Sequence, residues 1–157
     1  MSWNPPLVTS TAFRAIPASI KVWQAWPLRH RGWPRLHWLA MKLLLVADTQ
    51  WVRNDVAAAL PSSDWSVHFA DPRMVVEAAA AHPPAAAVID MQVGSMGGMA
   101  VIRRLRDAMA MREIGHFPLI LLLDRPADDF LARRAGADRS LIKPFTAQQL
   151  RKALSPG

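Results

Sequence analysis

Asp48, Asp90 and Lys143 each stand at or just beyond the end of an apolar run, the runs being 42–46, 85–89 and 140–142. Runs of this length read as buried strands. In an open sheet of parallel strands, ligands bind in the crevice outside the carboxyl ends, where the connecting loops diverge. Two carboxylates and one ammonium gathered there make an acidic site that attracts a cation and has a lysine beside it.

Such a site needs strands and helices that alternate, and the sequence supplies them. Residues 51–60 place Val52, Val56, Ala59 and Leu60 on one helical face and stop at Pro61. Residues 66–69 read as a short second strand. Asp71 and Pro72 form a helix start, with a capping carboxylate and proline at the first position, and the helix runs to about Ala81. The third strand, 85–90, leads through the glycine-rich stretch 94–98 into a helix carrying Val101, Ile102, Leu105 and Ala108. Residues 117–123 are the fourth strand. Pro126 then opens a helix with Asp128 and Asp129 in its first turn, opposing the macrodipole, and Gly136 closes it. Residues 139–142 are the fifth strand, and Thr146 and Gln149 have the spacing of a capping box before Leu150 and Leu154. Five strands alternating with five helices predict a doubly wound α/β domain.

The chain has 157 residues, enough for a single core, and contains no cysteine, which excludes disulfides and thiolate metal sites. Its formal charge of +7 is concentrated at one end. Residues 1–40 carry Arg14, Lys21, Arg29, Arg31 and Arg35 without an acid, together with five of the seven tryptophans and five prolines. That density of proline interrupts helices and central strands. The segment has no apolar stretch long enough to span a membrane and lacks the pattern of a secretory signal. It reads as a leader ahead of a domain at 41–157: an upstream extension from a mis-called start, a disordered tail, or a basic arm for an anionic surface. Within the domain, Arg103, Arg104 and Arg106 read as a solvated helix face rather than a nucleic-acid stripe. His68, His82 and His116 have no metal-ligand spacing.

Over residues 42–154 the sequence resembles the receiver domain of bacterial two-component response regulators. The likeness is carried by Val46-Ala47-Asp48, by Val88-Ile89-Asp90 with the stretch Gly94 to Gly98, by Gly136-Ala137-Asp138, and by Lys143-Pro144-Phe145. It implies a flavodoxin-like (βα)5 sheet of five parallel strands in the order 2-1-3-4-5. It further implies that Asp90 accepts a phosphoryl group as 4-aspartylphosphate, with Lys143 meeting a phosphoryl oxygen. Mg2+ would be held by Asp48, Asp90 and the backbone carbonyl of Gln92. A carboxylate is chemically able to act as such a nucleophile. The implied partners are a sensor histidine kinase or phosphotransfer protein as donor and a downstream protein target, with no direct nucleic-acid contact and no membrane span. The family often meets its targets through the fourth helix, fifth strand and fifth helix, which here carry Arg133, Arg134, Arg139 and Lys152. The expectation is a cytoplasmic, stand-alone signalling domain and not an enzyme.

Three positions depart from the family pattern. Ala47 stands where a second acid usually precedes Asp48, so the acids and Lys143 sum to −1 instead of −2. Leu123 stands where the fourth strand usually ends in a hydroxyl, and Ser140 where the fifth carries an aromatic ring. These losses bring in a second reading, a phosphorylation-independent pseudo-receiver acting as a protein-interaction module. The stretch 94–98 lacks the Gly-Lys-Ser/Thr ending of a P-loop, so a nucleotide-binding enzyme is the weakest reading.

Overall fold

Leu43 to Val46 are apolar without interruption, so both faces of the strand they form must be covered. A computed structural model describes residues 40–94 and 96–155, and the expectations placed on the leader lie outside these described residues. The elements are β1 (Met41–Val46), α1 (Gln50–Ala59), β2 (Trp65–Phe69), α2 (Val75–Ala81), β3 (Ala86–Asp90), α3 (Gly98–Ala110), β4 (Leu119–Leu123), α4 (Asp129–Ala135), β5 (Arg139–Ile142) and α5 (Ala147–Leu154). The five strands pair in parallel in the order β2-β1-β3-β4-β5, the order implied by the resemblance.

Alternation along each strand divides the core into two layers. Leu44, Val46, Ala87, Ile89, Leu119, Leu121 and Leu123 face one layer, completed by residues of α2, α3 and α4. Leu43, Leu45, Ala86, Val88, Ile120 and Leu122 face the other, completed by α1 and α5. Full burial of one leucine or isoleucine stabilises by about 1.5–3 kcal/mol, so the three central strands supply most of the driving force. The helices follow the apolar spacing, as in α3, which buries Val101, Ile102, Leu105 and Ala108.

Local boundaries depart from expectation where proline intervenes. Pro72–Met74 and Pro126–Asp128 are 3-10 turns, and the α-helices begin only at Val75 and Asp129. The Asp71 carboxylate accepts from the Arg73 amide at 2.7 Å, and the Met74 amide donates to the Asp71 carbonyl at 3.0 Å. These bonds tighten the entry. Asp128 lies in the second of these turns, buried, with Arg125 at 3.5 Å, so only Asp129 occupies the first α-helical turn. β4 begins at Leu119 rather than 117, and Pro118 contributes only its carbonyl, which accepts from the Ala87 amide. Gly136 caps α4 at φ 103°, a left-handed conformation that suits glycine. Thr146 and Gln149 form both bonds of the expected capping box.

Candidate functional site

Strand register brings the expected residues to one edge of the sheet. Val46 pairs with Ile89, which sets Asp48, two residues on, beside Asp90 at the carboxyl ends of β1 and β3. Leu123 pairs with Ile142, so the next residues on those strands, Asp124 and Lys143, also emerge together. The Lys143 amide donates to the Leu123 carbonyl at 2.8 Å and fixes that step.

Asp90 is fully buried, and the Lys143 side chain is only 6% exposed. The Lys143 ammonium donates to Asp90 Oδ1 at 2.6 Å, and the Gln92 amide donates to the same oxygen at 3.3 Å. Asp90 Oδ2 is buried and has no hydrogen-bond partner. Leaving a carboxylate oxygen uncompensated inside a protein is costly, so this atom marks a place where a ligand would be stabilising. Asp48 is exposed, and its carboxylate accepts from the Gly94 amide, which ties the β1 end to the loop after β3.

Two residues the sequence reading passed over complete the site. Asp124 lies 3.1 Å from Lys143 Nζ, and the Trp51 ring, in the first turn of α1, has its centroid 5.7 Å from the same atom. Asp124 corrects the charge expected from the sequence. The acid missing at Ala47 is matched by one at the end of β4, and Asp48, Asp90, Asp124 and Lys143 together carry −2. Burial pushes the Lys143 pKa down, but its hydrogen bonds to Asp90 and Asp124 and their charges outweigh that effect and raise it above the usual 10.5.

The departures have structural accounts. Ala47 is buried in the layer beneath α1, and its carbonyl accepts from the Arg53 guanidinium at 2.6 Å. Leu123 is fully buried in the layer formed with α3 and α4. Ser140 donates its hydroxyl to Asp129, which also pairs with Arg133. Donation from Ser140, and secondarily the Arg133 contact, hold the Asp129 carboxyl below its usual pKa. Where the resemblance implies an aromatic ring, this chain has a polar tie between β5 and α4. An open groove of about 730 Å3 runs along this face, lined in part by Asp129, Arg133, Arg139, Ser140 and Lys152.

One further expectation is revised, and one is extended. Arg106 does not lie on a solvated face, because it donates to the Gly136 carbonyl at 2.7 Å and pairs with Asp138 at 2.6 Å. His68 and His82 do meet, stacked at 5.2 Å, yet no group of three or more potential His, Cys, Asp or Glu ligands occurs among the described residues.

No protein-family model matches the chain. Curated relatives are response regulators. Response regulator MprA of Mycolicibacterium vanbaalenii is 29% identical over 115 residues, covering 71% of this chain and 48% of the relative, and MprA of Mycobacterium leprae is 29% identical over 113 residues, covering 70% and 47%. The chain therefore spans about half the length of the curated relatives it matches. Among solved structures, the chemotaxis protein CheY4 of Vibrio cholerae superposes with a TM-score of 0.63 at 23% identity, covering 73% of this chain and 96% of that one. The receiver domain of sensor histidine kinase PA1611 from Pseudomonas aeruginosa, which has magnesium in its active-site cleft, gives 0.62 at 24% identity, covering 73% and 94%. The matched segment has the flavodoxin-like fold of these receiver domains, and its sequence is similar to that of response regulators. No described helix is long and apolar enough to cross a membrane.

Proposed function

We propose that this receiver domain accepts a phosphoryl group on Asp90 from a histidine kinase or phosphotransfer protein and passes the signal on by protein contact. The carrying observation is the buried Asp90 carboxylate, paired with Lys143 at the β1/β3 edge and left with an unpartnered Oδ2. In the transfer, an Asp90 oxygen bonds to phosphorus as the bond from phosphorus to the donor breaks, and the departing group keeps that electron pair. Lys143 then meets the charge on the phosphoryl oxygens. Asp90 is fully covered, so the edge of the sheet must open for the donor to reach it.

The unpartnered oxygen also fits a hard, oxygen-seeking cation. Asp48, Asp90 and the Gln92 carbonyl would hold Mg2+, which binds through one or two carboxylates and keeps several waters. Bound there, it would supply charge neutralisation to the transferring group. The domain acts in this reading as a cytoplasmic signalling switch rather than an enzyme.

The switch is attenuated. A ligand shifts a two-state equilibrium only by its difference in affinity for the two states. A charge-assisted hydroxyl bond to the phosphoryl group would contribute about 1.5–3 kcal/mol of that difference, and Leu123 cannot make it. With magnesium and beryllofluoride, a phosphoryl mimic, NMR signals around Asp48, Asp90 and Lys143 are expected to shift saturably, and those of α4 and β5 to move little. Asp90→Asn abolishes the response. Large movement across α4 and β5 contradicts the attenuated switch, and complete indifference of the wild type favours the pseudo-receiver.

A further inference from the structure

The Lys143 ammonium has two carboxylate partners of unequal burial. Asp90 Oδ1, at 2.6 Å, is enclosed, whereas Asp124 Oδ1, at 3.1 Å, belongs to a side chain 37% exposed. An ammonium carries three donors and can serve both at once. The two acids approach from neighbouring strands, β3 and β4, while Trp51 of α1 borders the lysine at 5.7 Å. Ala47, just after β1, contributes no charge. With Asp90 as its only partner the lysine would give that carboxylate its full charge, in competition with any cation bound there.

We propose that Asp124 is a positioning residue of the Asp90 site, holding Lys143 as a cation shared between two carboxylates and restoring the negative charge that Ala47 omits. The proposal rests on the reading of Asp90 as phosphoacceptor for its consequence, but the Asp124–Lys143 contact can be tested without it. Both effects have the same sign for cation binding. Removing the Asp124 charge weakens the attraction directly, and releasing Lys143 to Asp90 screens the principal ligand. Coulomb attraction between a divalent cation and one nearby carboxylate charge in a water-like medium puts the direct effect alone at roughly fivefold in affinity.

The first test uses the metal-free full chain. Its four lysines, Lys21, Lys42, Lys143 and Lys152, allow the Lys143 ammonium signal to be assigned by nitrogen-15 NMR through its loss in Lys143→Met. In Asp124→Asn, exchange of that ammonium with water is expected to quicken severalfold and its shift to move, with recovery in Asp124→Glu and an unchanged melting temperature. An unaltered Lys143 signal overturns the proposal whatever Asp90 does. Calorimetric titration with magnesium chloride is the second test. Asp124→Asn is expected to weaken binding about fivefold, and adding Ala47→Asp to it to bring the affinity back. Equal affinity of wild type and Asp124→Asn overturns the charge-compensating role. A wild type that binds no magnesium, while its Lys143 signal still depends on Asp124, supports the lysine-holding role and overturns the phosphoacceptor reading instead.

Discussion

Lys143→Met is expected to lower folding stability by about 3–5 kcal/mol, the range for breaking a buried ion pair by removing one partner. The lysine is the charged partner of a carboxylate with no exposed surface, and Asp90 Oδ2 already has no hydrogen bond. Without Lys143, Oδ1 keeps only the longer contact from the Gln92 amide. Adding Asp90→Asn is expected to recover most of the loss, because the charge that needed compensation is gone. Urea unfolding of the two variants against wild type checks both statements. The pair also predicts a pH dependence. The folded-state pKa of Lys143 is raised above the usual 10.5, so its contribution is complete below that value and is lost as pH rises through the folded-state value. Wild-type stability therefore falls more steeply than that of Lys143→Met above about pH 10.5. Equal slopes would mean that the lysine is not held by the carboxylates.

Gly98→Ala is expected to be similarly severe, at about 3 kcal/mol, and to remove the site's ligand response as well. A Cβ at Gly98 would lie 2.3 Å from the Asp90 carbonyl oxygen and 2.8 Å from Met91 Cα. Both are backbone atoms, so no rotamer change relieves the overlap, and α3 must shift away from the end of β3. The Gly98 amide also donates to the Met91 carbonyl at 2.9 Å, which makes the helix start and the loop after β3 one unit. Gly115→Ala serves as the control, since its added Cβ would meet nothing within 4 Å. A wild-type melting temperature for Gly98→Ala would show that β3 and α3 can separate without consequence.

The strand ends were legible because each is written in a single uninterrupted apolar run, and parallel order follows once helices alternate with those runs. Asp48, Asp90 and Lys143 could be placed on one edge from that alone. Asp124 obeys the same rule, since the run 117–123 also ends on an acid. In the sequence the more conspicuous feature of that strand end is the hydroxyl absent at Leu123. That Asp124 faces the lysine depends on the pairing of Leu123 with Ile142, a register no single strand encodes. Trp51 was hidden for a related reason, as its contact with Lys143 joins the first helix to the loop after the fifth strand. Arg106 reads as solvated from the helix pattern, but its long side chain crosses to Gly136 and Asp138, so polarity along the helix does not equal solvation. The polar tie from Ser140 to Asp129 likewise joins residues eleven apart on different elements.

These features leave an acidic site with a lysine held inside it and a face tied by side-chain hydrogen bonds. Arg139 adds to the restraint by donating to the Ala153 and Ser155 carbonyls, each at 2.6 Å, so that β5 is fastened to the end of α5 as well as to α4. Under the proposed function, signal output therefore rests more on changes at the Asp90 edge than on a rearranged groove.

The central claim is that Asp90 is the residue that takes the phosphoryl group. It is tested most directly by incubating the full chain with magnesium and acetyl phosphate, then locating the modification by mass spectrometry after acid quench. One acid-stable, base-labile phosphoryl group on the peptide containing Asp90, absent from Asp90→Asn, is the predicted result. Phosphorylation at another residue, or none at Asp90 while Lys143 and Asp124 are intact, would contradict it.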